Sequence, residues 1–191
     1  MAIYVLAGTP GIGKTTILKV LLEKRPEIKV VDFGGTILET AVGEKLVKNR
    51  DELRNLAAEQ HDKYVELQSL AAERISIEVG HPTHPVIIDT HVAIKTPGGY
   101  LPGMPEKAIK TIAPEKIILL EASPKIVLER RAKDQTRVRN DFGGEKEIIE
   151  TQELNKAFAA AAANSCSAIL AFVNADGTKE QNAELLSKLI K

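Results

Sequence analysis

A glycine-rich stretch near the start of the chain, Gly8 to Thr16 (GTPGIGKTT), carries residue types that suit phosphate binding. Its glycines, lysine and threonine have the G-x-x-x-x-G-K-T spacing of the phosphate-binding loop, or P-loop. Glycine lets the backbone approach an anion closely, so that successive N–H groups can surround it. We therefore expect Lys14 to reach the β- and γ-phosphates of a nucleotide, and the hydroxyl of Thr15 to bind Mg²⁺.

A carboxylate at a strand end could complete the metal site. Asp89 closes the short apolar run Val86–Asp89 (VIID), which is the position of a Walker-B carboxylate. A carboxylate there can hold Mg²⁺ directly or through water, opposite Thr15. Thr15 and Asp89 are therefore the predicted metal ligands. The alternative is a turn carboxylate that serves only the strand end.

Arginines form two groups that are well separated in the sequence. Arg50 and Arg54 flank the start of a predicted helix, whereas Arg130, Arg137 and Arg139 lie near a later predicted loop. Transfer of a γ-phosphoryl group needs positioning and charge neutralisation, and the arginine fork suits phosphate oxygens. Two groups therefore predict two tasks: holding an acceptor phosphate and clamping the transferring one. The alternative for any isolated arginine is a solvated surface charge.

Short apolar runs separated by helical stretches predict the elements that position these residues. Strands separated by helices indicate an α/β fold with a five-stranded parallel sheet and right-handed crossovers. In such sheets ligands bind at the carboxyl ends of the strands, where the P-loop and Asp89 both lie. One long helix is predicted over Asp51 to Val79. The predicted strands are Ile3–Ala7, Lys29–Phe33, Val86–Asp89, Lys116–Glu121 and Ala168–Val173.

Composition narrows the class of protein. The 191 residues suit one domain, and Lys+Arg and Asp+Glu both number 26, so the net charge argues against a dedicated nucleic-acid or membrane-surface protein. The lone Cys166 excludes an intramolecular disulfide. The P-loop strand occupies the N-terminus in place of a signal peptide, and no apolar run reaches membrane-spanning length. We expect a soluble, cytoplasmic protein.

From end to end, the chain resembles the archaeal-type adenylate kinases. The shared motifs are GTPGIGKTT, VDFGGTILETA, NRDELR, DTHVAIKTPGGYLPGMP and TRVRND. The resemblance implies a P-loop NTPase fold, a three-layer α/β/α sandwich. It also implies a single domain over residues 1–191, with an AMP-binding insertion at about 33–80 and a short lid at about 131–145. The implied reaction is reversible, Mg²⁺-dependent transfer of the γ-phosphoryl group of ATP to AMP, giving two ADP, in a protein that is a homotrimer.

The resemblance also assigns roles to individual residues. It places the ATP phosphates on Gly8, Thr9, Pro10, Gly11, Ile12, Gly13, Lys14, Thr15 and Thr16. It places AMP on the segment with Gly35, Thr36, Arg50 and Arg54, and the transferring group on Lys14, Arg130, Arg137 and Arg139. The DGFPR element of the more widespread adenylate kinases is absent, and DTHVAIKTP stands in its place. Candidates for the missing acceptor-binding arginine are Thr90, His91 and Lys95, although His91 is equally explained as a buried, hydrogen-bonded residue.

Two other functions remain open from the residues alone. Another nucleoside monophosphate kinase, acting on CMP, UMP or a deoxynucleotide, would share all the phosphate-binding groups. A non-kinase ATP-dependent switch in RNA or ribosome assembly is the alternative from a different class, although neutral charge and few aromatic residues count against it. A guanine-specific switch is disfavoured because Asn155-Lys156-Ala157-Phe158 lacks the aspartate of the guanine-reading motif.

Overall fold

The computed structural model describes residues 2–133 and 143–191. In this part of the chain the strands form a five-stranded parallel sheet and a separate two-stranded antiparallel hairpin. In chain order they are β1 (Ile3–Gly8), β2 (Lys29–Asp32), β3 (Val86–Asp89), β4 (Ala93–Thr96), β5 (Gly99–Pro102), β6 (Lys116–Glu121) and β7 (Ile169–Asn174). The sheet has the strand order β2-β3-β1-β6-β7. The predicted parallel sheet is confirmed, and each predicted strand boundary agrees to within one residue.

Helices cover both faces of the sheet, as the three-layer sandwich predicts. In β1, Tyr4 and Leu6 belong to a core with the helices Lys14–Lys24 and Lys179–Leu189. Val5 and Ala7 belong to a second core, with the helices Phe33–Gly43, His61–Val79 and Glu145–Cys166. All four side chains are fully buried, because successive strand residues face opposite sides of a sheet that is covered on both. The helices of the described residues are α1 (Lys14–Lys24), α2 (Phe33–Gly43), α3 (Arg50–Glu59), α4 (His61–Val79), α5 (Glu106–Ile112), α6 (Pro124–Lys133), α7 (Glu145–Cys166) and α8 (Lys179–Leu189).

The prediction of one continuous helix over Asp51 to Val79 is wrong. The backbone leaves the helical region at Gln60 (φ −131°, ψ 67°), which ends α3 and precedes α4. Leu53 and Leu56 on α3 and Leu67 on α4 all enter the same core. The apolar pattern therefore predicted the burial of these three leucines, but not the break that lets two shorter helices pack there.

The hairpin of β4 and β5 interrupts the alternation of strands and helices directly after β3. It lies between the strand that ends in Asp89 and helix α5, and it pairs Lys95 with Tyr100 across the two strands. No helix in the described ranges is both long and apolar enough to span a membrane.

Candidate nucleotide-binding site

The loop between β1 and α1 has the backbone that a P-loop requires. Gly11 and Gly13 adopt φ angles of 91° and 95°, which side chains disfavour, so both positions require glycine. Between them, Ile12 is almost fully buried and its N–H donates to the carbonyl oxygen of Thr9 at 3.0 Å. The buried side chain of Ile12 thus fixes the loop to the core, and α1 begins just after it, at Lys14.

Lys14 and Asp89, which are distant in sequence, meet at the carboxyl edge of the sheet. The Lys14 ammonium forms an ion pair with the Asp89 carboxylate and donates to the carbonyl oxygen of Thr90 at 2.9 Å. The contact follows from topology, because β1 pairs directly with β3 and places Leu6 beside Asp89. Only 10% of the lysine side chain and 20% of the aspartate side chain are exposed, so the pair is largely shielded from water.

The predicted metal ligands are hard oxygen donors. Thr15 follows Lys14 in the first turn of α1 and is exposed, and Asp89 lies at the end of β3. Across the described ranges, no cluster of three or more His, Cys, Asp or Glu residues is arranged to hold a metal. Mg²⁺ keeps several of its waters and is often held by one or two carboxylates plus substrate phosphates, so this small donor set fits it.

Two arginines at the end of α6 lie over the P-loop. Arg130 donates from Nη1 to the carbonyl oxygen of Ile12 at 2.8 Å. Arg131 donates to the carbonyl oxygen of Pro10 from Nε at 3.0 Å and from Nη2 at 2.8 Å. Because a Cβ atom on Gly11 would lie 2.6 Å from Cγ of Arg131, glycine is also needed there for this close approach. Helix α6 therefore helps to fix the shape of the loop.

Arg130 also joins the P-loop to the loop that follows β7. Its Nη2 donates to the carbonyl oxygens of Ala175 and Gly177 at 2.8 and 3.0 Å. Burial lowers the pKa of Arg130 from its usual value, while the nearby Asp176 carboxylate acts in the opposite direction. Asp176 is held in turn by the N–H of Ser123 at 2.6 Å. The predicted catalytic arginine thus binds three backbone carbonyls here.

On the acceptor side, the two predicted arginines lie on α3 and are more exposed. Arg50, the first residue of α3, lies 3.8 Å from the carboxylate of Asp32, and about half of its side chain is exposed. Arg54 lies 3.2 Å from Asp51, one turn back, and 72% of its side chain is exposed. Both guanidiniums are therefore accessible to an anion, Arg50 close to the sheet edge and Arg54 further out.

The other predicted acceptor residues of this segment belong to a helix. Gly35 and Thr36 lie in the first turn of α2, where the Thr36 hydroxyl donates to the carbonyl oxygen of Asp32 at 3.1 Å. A Cβ atom on Gly35 would lie 2.8 Å from Oδ2 of Asp32, so the glycine leaves room for that carboxylate. Asp32 was not among the predicted site residues, yet it pairs in register with Asp89 on the adjacent strand.

The candidates for the missing arginine occupy three different environments. Thr90 is buried, and its carbonyl oxygen binds Lys14. His91 is exposed as a residue, so the burial assumed in the alternative is wrong, whereas the hydrogen bond is confirmed: Nδ1 lies 3.2 Å from the carbonyl oxygen of Gly8. Because a carbonyl oxygen only accepts, Nδ1 carries the proton in this contact. Lys95 is exposed on β4 and contributes to the lowered pKa of Glu147, whose main cause is hydrogen bonding from the backbone at the start of α7.

Helix α7 supplies two buried polar residues that sequence reasoning missed. The Asn155 side chain donates to the hydroxyl of Thr9 in the P-loop at 3.2 Å, and Oε1 of Gln152 accepts from the N–H of Ala122 at 3.1 Å. Both lie on the same face of α7 as the buried Ala159, at helical spacing. The sequence signal that could have identified them is a polar residue on an otherwise apolar face of α7. The predicted lid residues Arg137 and Arg139 lie outside the described residues.

A phosphate-binding loop between a buried strand and a helix, with its lysine on a strand-end carboxylate, defines a P-loop nucleotide-binding protein. A protein-family model described as an AAA domain matches residues 7–149, and the chain belongs to that family. The fold is shared with a shikimate kinase from Bacteroides thetaiotaomicron, at a TM-score of 0.59 and 18% identity over 98% of this chain and 97% of that one.

Sequence comparison identifies the particular family. An adenylate kinase from Saccharolobus solfataricus is 44% identical over 169 residues, covering 85% of both chains. Adenylate kinases from Pyrobaculum aerophilum and Thermoplasma volcanium are each 40% identical, over 97% and 98% of this chain and 93% and 98% of their own lengths. The chain belongs to the adenylate kinases, a family of phosphotransferases, as its motifs predicted.

Proposed function

We propose that this protein transfers the γ-phosphoryl group of ATP to AMP, reversibly and with Mg²⁺, giving two ADP. The observation that carries the proposal is the contact of Lys14 with Asp89 and Thr90, in a chain that aligns almost end to end with adenylate kinases. That contact supports the proposal because it lies at the edge of the sheet where ligands bind, and because Lys14 is the cation proposed to bind phosphate and Asp89 the carboxylate proposed to bind Mg²⁺.

Positioning and charge account for the proposed mechanism, without a side-chain nucleophile. The N–H groups of the P-loop and the start of α1 hold the donor phosphates, and Lys14 stabilises the charge that develops on the transferring group. The acceptor phosphate is already anionic at neutral pH, so one of its oxygens attacks the γ-phosphorus in line. The bond from that phosphorus to the β–γ bridging oxygen breaks, and the donor leaves as ADP. Arg130, Arg137 and Arg139 are proposed to stabilise the transferring group from the lid side, which for Arg130 requires exchanging backbone carbonyls for phosphate oxygens.

The Mg²⁺ ion is proposed to lie between Thr15 and Asp89. A hydroxyl and a carboxylate fit this ion because it prefers oxygen ligands and keeps several waters. When bound, Mg²⁺ neutralises charge on the donor phosphates. Asp89 would hold the ion through its carboxylate, which the ion pair with Lys14 keeps in place at the end of β3.

The acceptor is proposed to bind between α2 and α3 and the segment that follows β3. Arg50 and Arg54 would hold its phosphate, since both guanidiniums are accessible. The first turn of α2 packs against Asp32, the carboxylate that Arg50 approaches at 3.8 Å. The segment after β3 completes the site. The residues proposed to contact AMP are Gly35, Thr36, Arg50, Arg54, Thr90, His91 and Lys95.

The same family resemblance supports a cytoplasmic homotrimer and the division of the domain into an AMP-binding insertion at about 33–80 and a lid at about 131–145. Light scattering of the purified protein tests the homotrimer, because one subunit has a mass of 20.8 kDa. A mass of one or two subunits would contradict it.

A coupled assay for ADP, with ATP and a panel of monophosphates, tests the proposed function. We expect ADP to form from ATP and AMP, with far slower reaction of CMP and UMP and little ATP loss without an acceptor. A preference for CMP or UMP would redirect the proposal to another monophosphate kinase. ATP consumption that does not depend on any acceptor would replace it with an ATP-dependent switch.

A further inference from the structure

Two buried amide side chains, Gln68 and Asn182, share an unusual arrangement. In the described part of the chain, each of these side chains has one buried oxygen without a hydrogen-bond partner: Oε1 of Gln68 and Oδ1 of Asn182. Each amide is at most 1% exposed. Each uses its amino group to bind two backbone carbonyls of a loop at or beside the candidate site.

Gln68 lies on α4 and binds the end of the hairpin. Its Nε2 donates to the carbonyl oxygens of Pro102 and Gly103 at 2.9 and 3.2 Å. An amide turned the other way would set its oxygen against two carbonyl oxygens, so these contacts fix its orientation. The amide thereby ties the helix of the proposed acceptor segment to the polypeptide that follows Asp89.

The segment that follows Asp89 packs tightly against the candidate site. A Cβ atom on Gly103 would lie 1.7 Å from the carbonyl oxygen of His91, so the two backbones meet at a point where only glycine fits. The Gly103 N–H also donates to the carbonyl oxygen of Val92 at 2.8 Å. A shift of Gly103 would therefore move the segment that carries Thr90, His91 and Lys95.

Asn182 lies on α8 and holds the loop after β7 in the same way. Its Nδ2 donates to the carbonyl oxygens of Ala175 and Gly177, both at 3.0 Å. These are the two carbonyls that Arg130 binds from α6, and Arg130 also binds the P-loop. The loop borders a cleft of about 430 Å³ at the carboxyl end of β7, to which α8 contributes Asn182.

We propose that Gln68 and Asn182 are positioning residues, each holding through its amino group the loop that completes one nucleotide site: Gln68 the acceptor site and Asn182 the donor site. The assignment of the two sites rests on the proposed function. Each amide touches only backbone, so each acts through the loop it holds. A leucine or methionine would fill the same space without the unpaired amide oxygen, but it would take the donor away from the loop carbonyls, so what the amino group supplies at each position is its hold on the loop.

The two positions serve as controls for each other in one experiment. Gln68→Met and Asn182→Leu remove the amino group at nearly constant size. Dissociation constants for ATP and for AMP are measured by calorimetry on the full chain, beside both KM values and kcat. Because each variant loses two neutral hydrogen bonds, we expect a rise of about tenfold in one dissociation constant for Gln68→Met, and a smaller rise for Asn182→Leu, since Arg130 still binds the same two carbonyls.

The expected result is a crossover. Gln68→Met weakens AMP binding about tenfold and ATP binding less than about twofold, since Ile12, Arg130 and Arg131 hold the P-loop independently. Asn182→Leu weakens ATP binding and leaves AMP binding unchanged. A merely structural role would instead lower the melting temperature and leave both constants of the folded protein unchanged.

Milder variants keep the test decisive if the first pair folds poorly. Gln68→Glu keeps the shape, and burial favours its protonated form, which donates one hydrogen bond in place of two. Asn182→Ser keeps a donor on a shorter side chain. Each should raise the dissociation constant of the same nucleotide as the first variant at that position, but by a smaller factor.

Outcomes for the two proposals are distinguishable. Folded variants that change both constants equally, or neither, overturn the positioning roles while leaving the activity of the parent protein intact. A parent protein that binds ATP but neither binds nor phosphorylates AMP overturns the proposed function. In that case the effect of Asn182→Leu on ATP binding still tests the donor half.

Discussion

Asp89→Asn separates the metal role of this carboxylate from its role in the ion pair with Lys14. Two opposite charges at about 4 Å attract by about 4 kcal/mol at an effective dielectric constant of 20, before the cost of desolvating them. The two side chains are 10% and 20% exposed, and asparagine keeps an oxygen that can accept from the ammonium. We therefore expect a loss of about 1–2 kcal/mol in the free energy of unfolding. In a domain of this size the melting temperature should fall by about 2–8 °C.

The effect on activity should be much larger than this loss of stability. Removing one negative charge beside the cation lowers its affinity, so the Mg²⁺ concentration at half-maximal rate should rise. Turnover at fixed Mg²⁺ should fall on the order of 10²-fold. Added Mg²⁺ should restore part of the rate, because the defect lies in metal affinity. Steady-state kinetics across a Mg²⁺ titration, beside a thermal melt without nucleotide, measures both effects.

Asp32→Asn is the matched control, because Asp32 ends the adjacent strand in register with Asp89. Its carboxylate is 62% exposed and lies 3.8 Å from Arg50, so its removal should cost little stability. The control should not shift the Mg²⁺ midpoint. An Asp89→Asn variant with full activity and an unshifted midpoint, or one that behaves like the control, would refute the metal role.

Three further predictions concern the phosphate-binding residues and the thiol. Lys14→Ala should lower turnover on the order of 10³-fold, which is about 4 kcal/mol of transition-state stabilisation, and near-normal turnover in a folded variant would contradict the P-loop role. Arg54→Ala should weaken AMP binding more than ATP binding by calorimetry, whereas Arg139→Ala should mainly lower kcat; equal effects on both nucleotides would contradict the two assignments. Burial raises the pKa of Cys166, so the thiolate becomes abundant only above the usual pH, and iodoacetamide should modify this thiol more slowly at pH 8 than a free thiol; equal rates would contradict the burial.

Local sequence was enough to predict the features that depend on a few adjacent residues. The glycine spacing alone predicts the backbone geometry of the P-loop. Gly11 and Gly13 do have the positive φ angles that such a loop uses. The apolar runs likewise predicted the strands, since burial on both faces leaves little room for polar residues. Asp89 could be placed opposite the P-loop because carboxyl ends of parallel strands share one edge.

Features that depend on contacts between distant segments could not be predicted in the same way. The break at Gln60 has neither a proline nor a glycine, and it is set by the packing of α3 and α4 into one core. The hairpin after β3 has Gly98 and Gly99 near its turn, but neither Ala93–Thr96 nor Gly99–Pro102 alternates apolar and polar residues, so no periodic pattern indicated paired strands. For Arg130, charge suggested phosphate, whereas the structure places its guanidinium on three backbone carbonyls of two loops.

The central position of β1 has a consequence for how the chain folds during synthesis. Ile3 pairs with Val86 and Tyr4 with Lys116, so β1 leaves the ribosome long before either of the strands that pair with it. Such long-range pairing requires closing large loops before any contact compensates for the lost entropy. Until β6 has emerged, the fully apolar β1 has unpaired edges and is prone to aggregation. Nascent chains that stop before residue 116 should therefore depend on chaperones far more than chains that include β6.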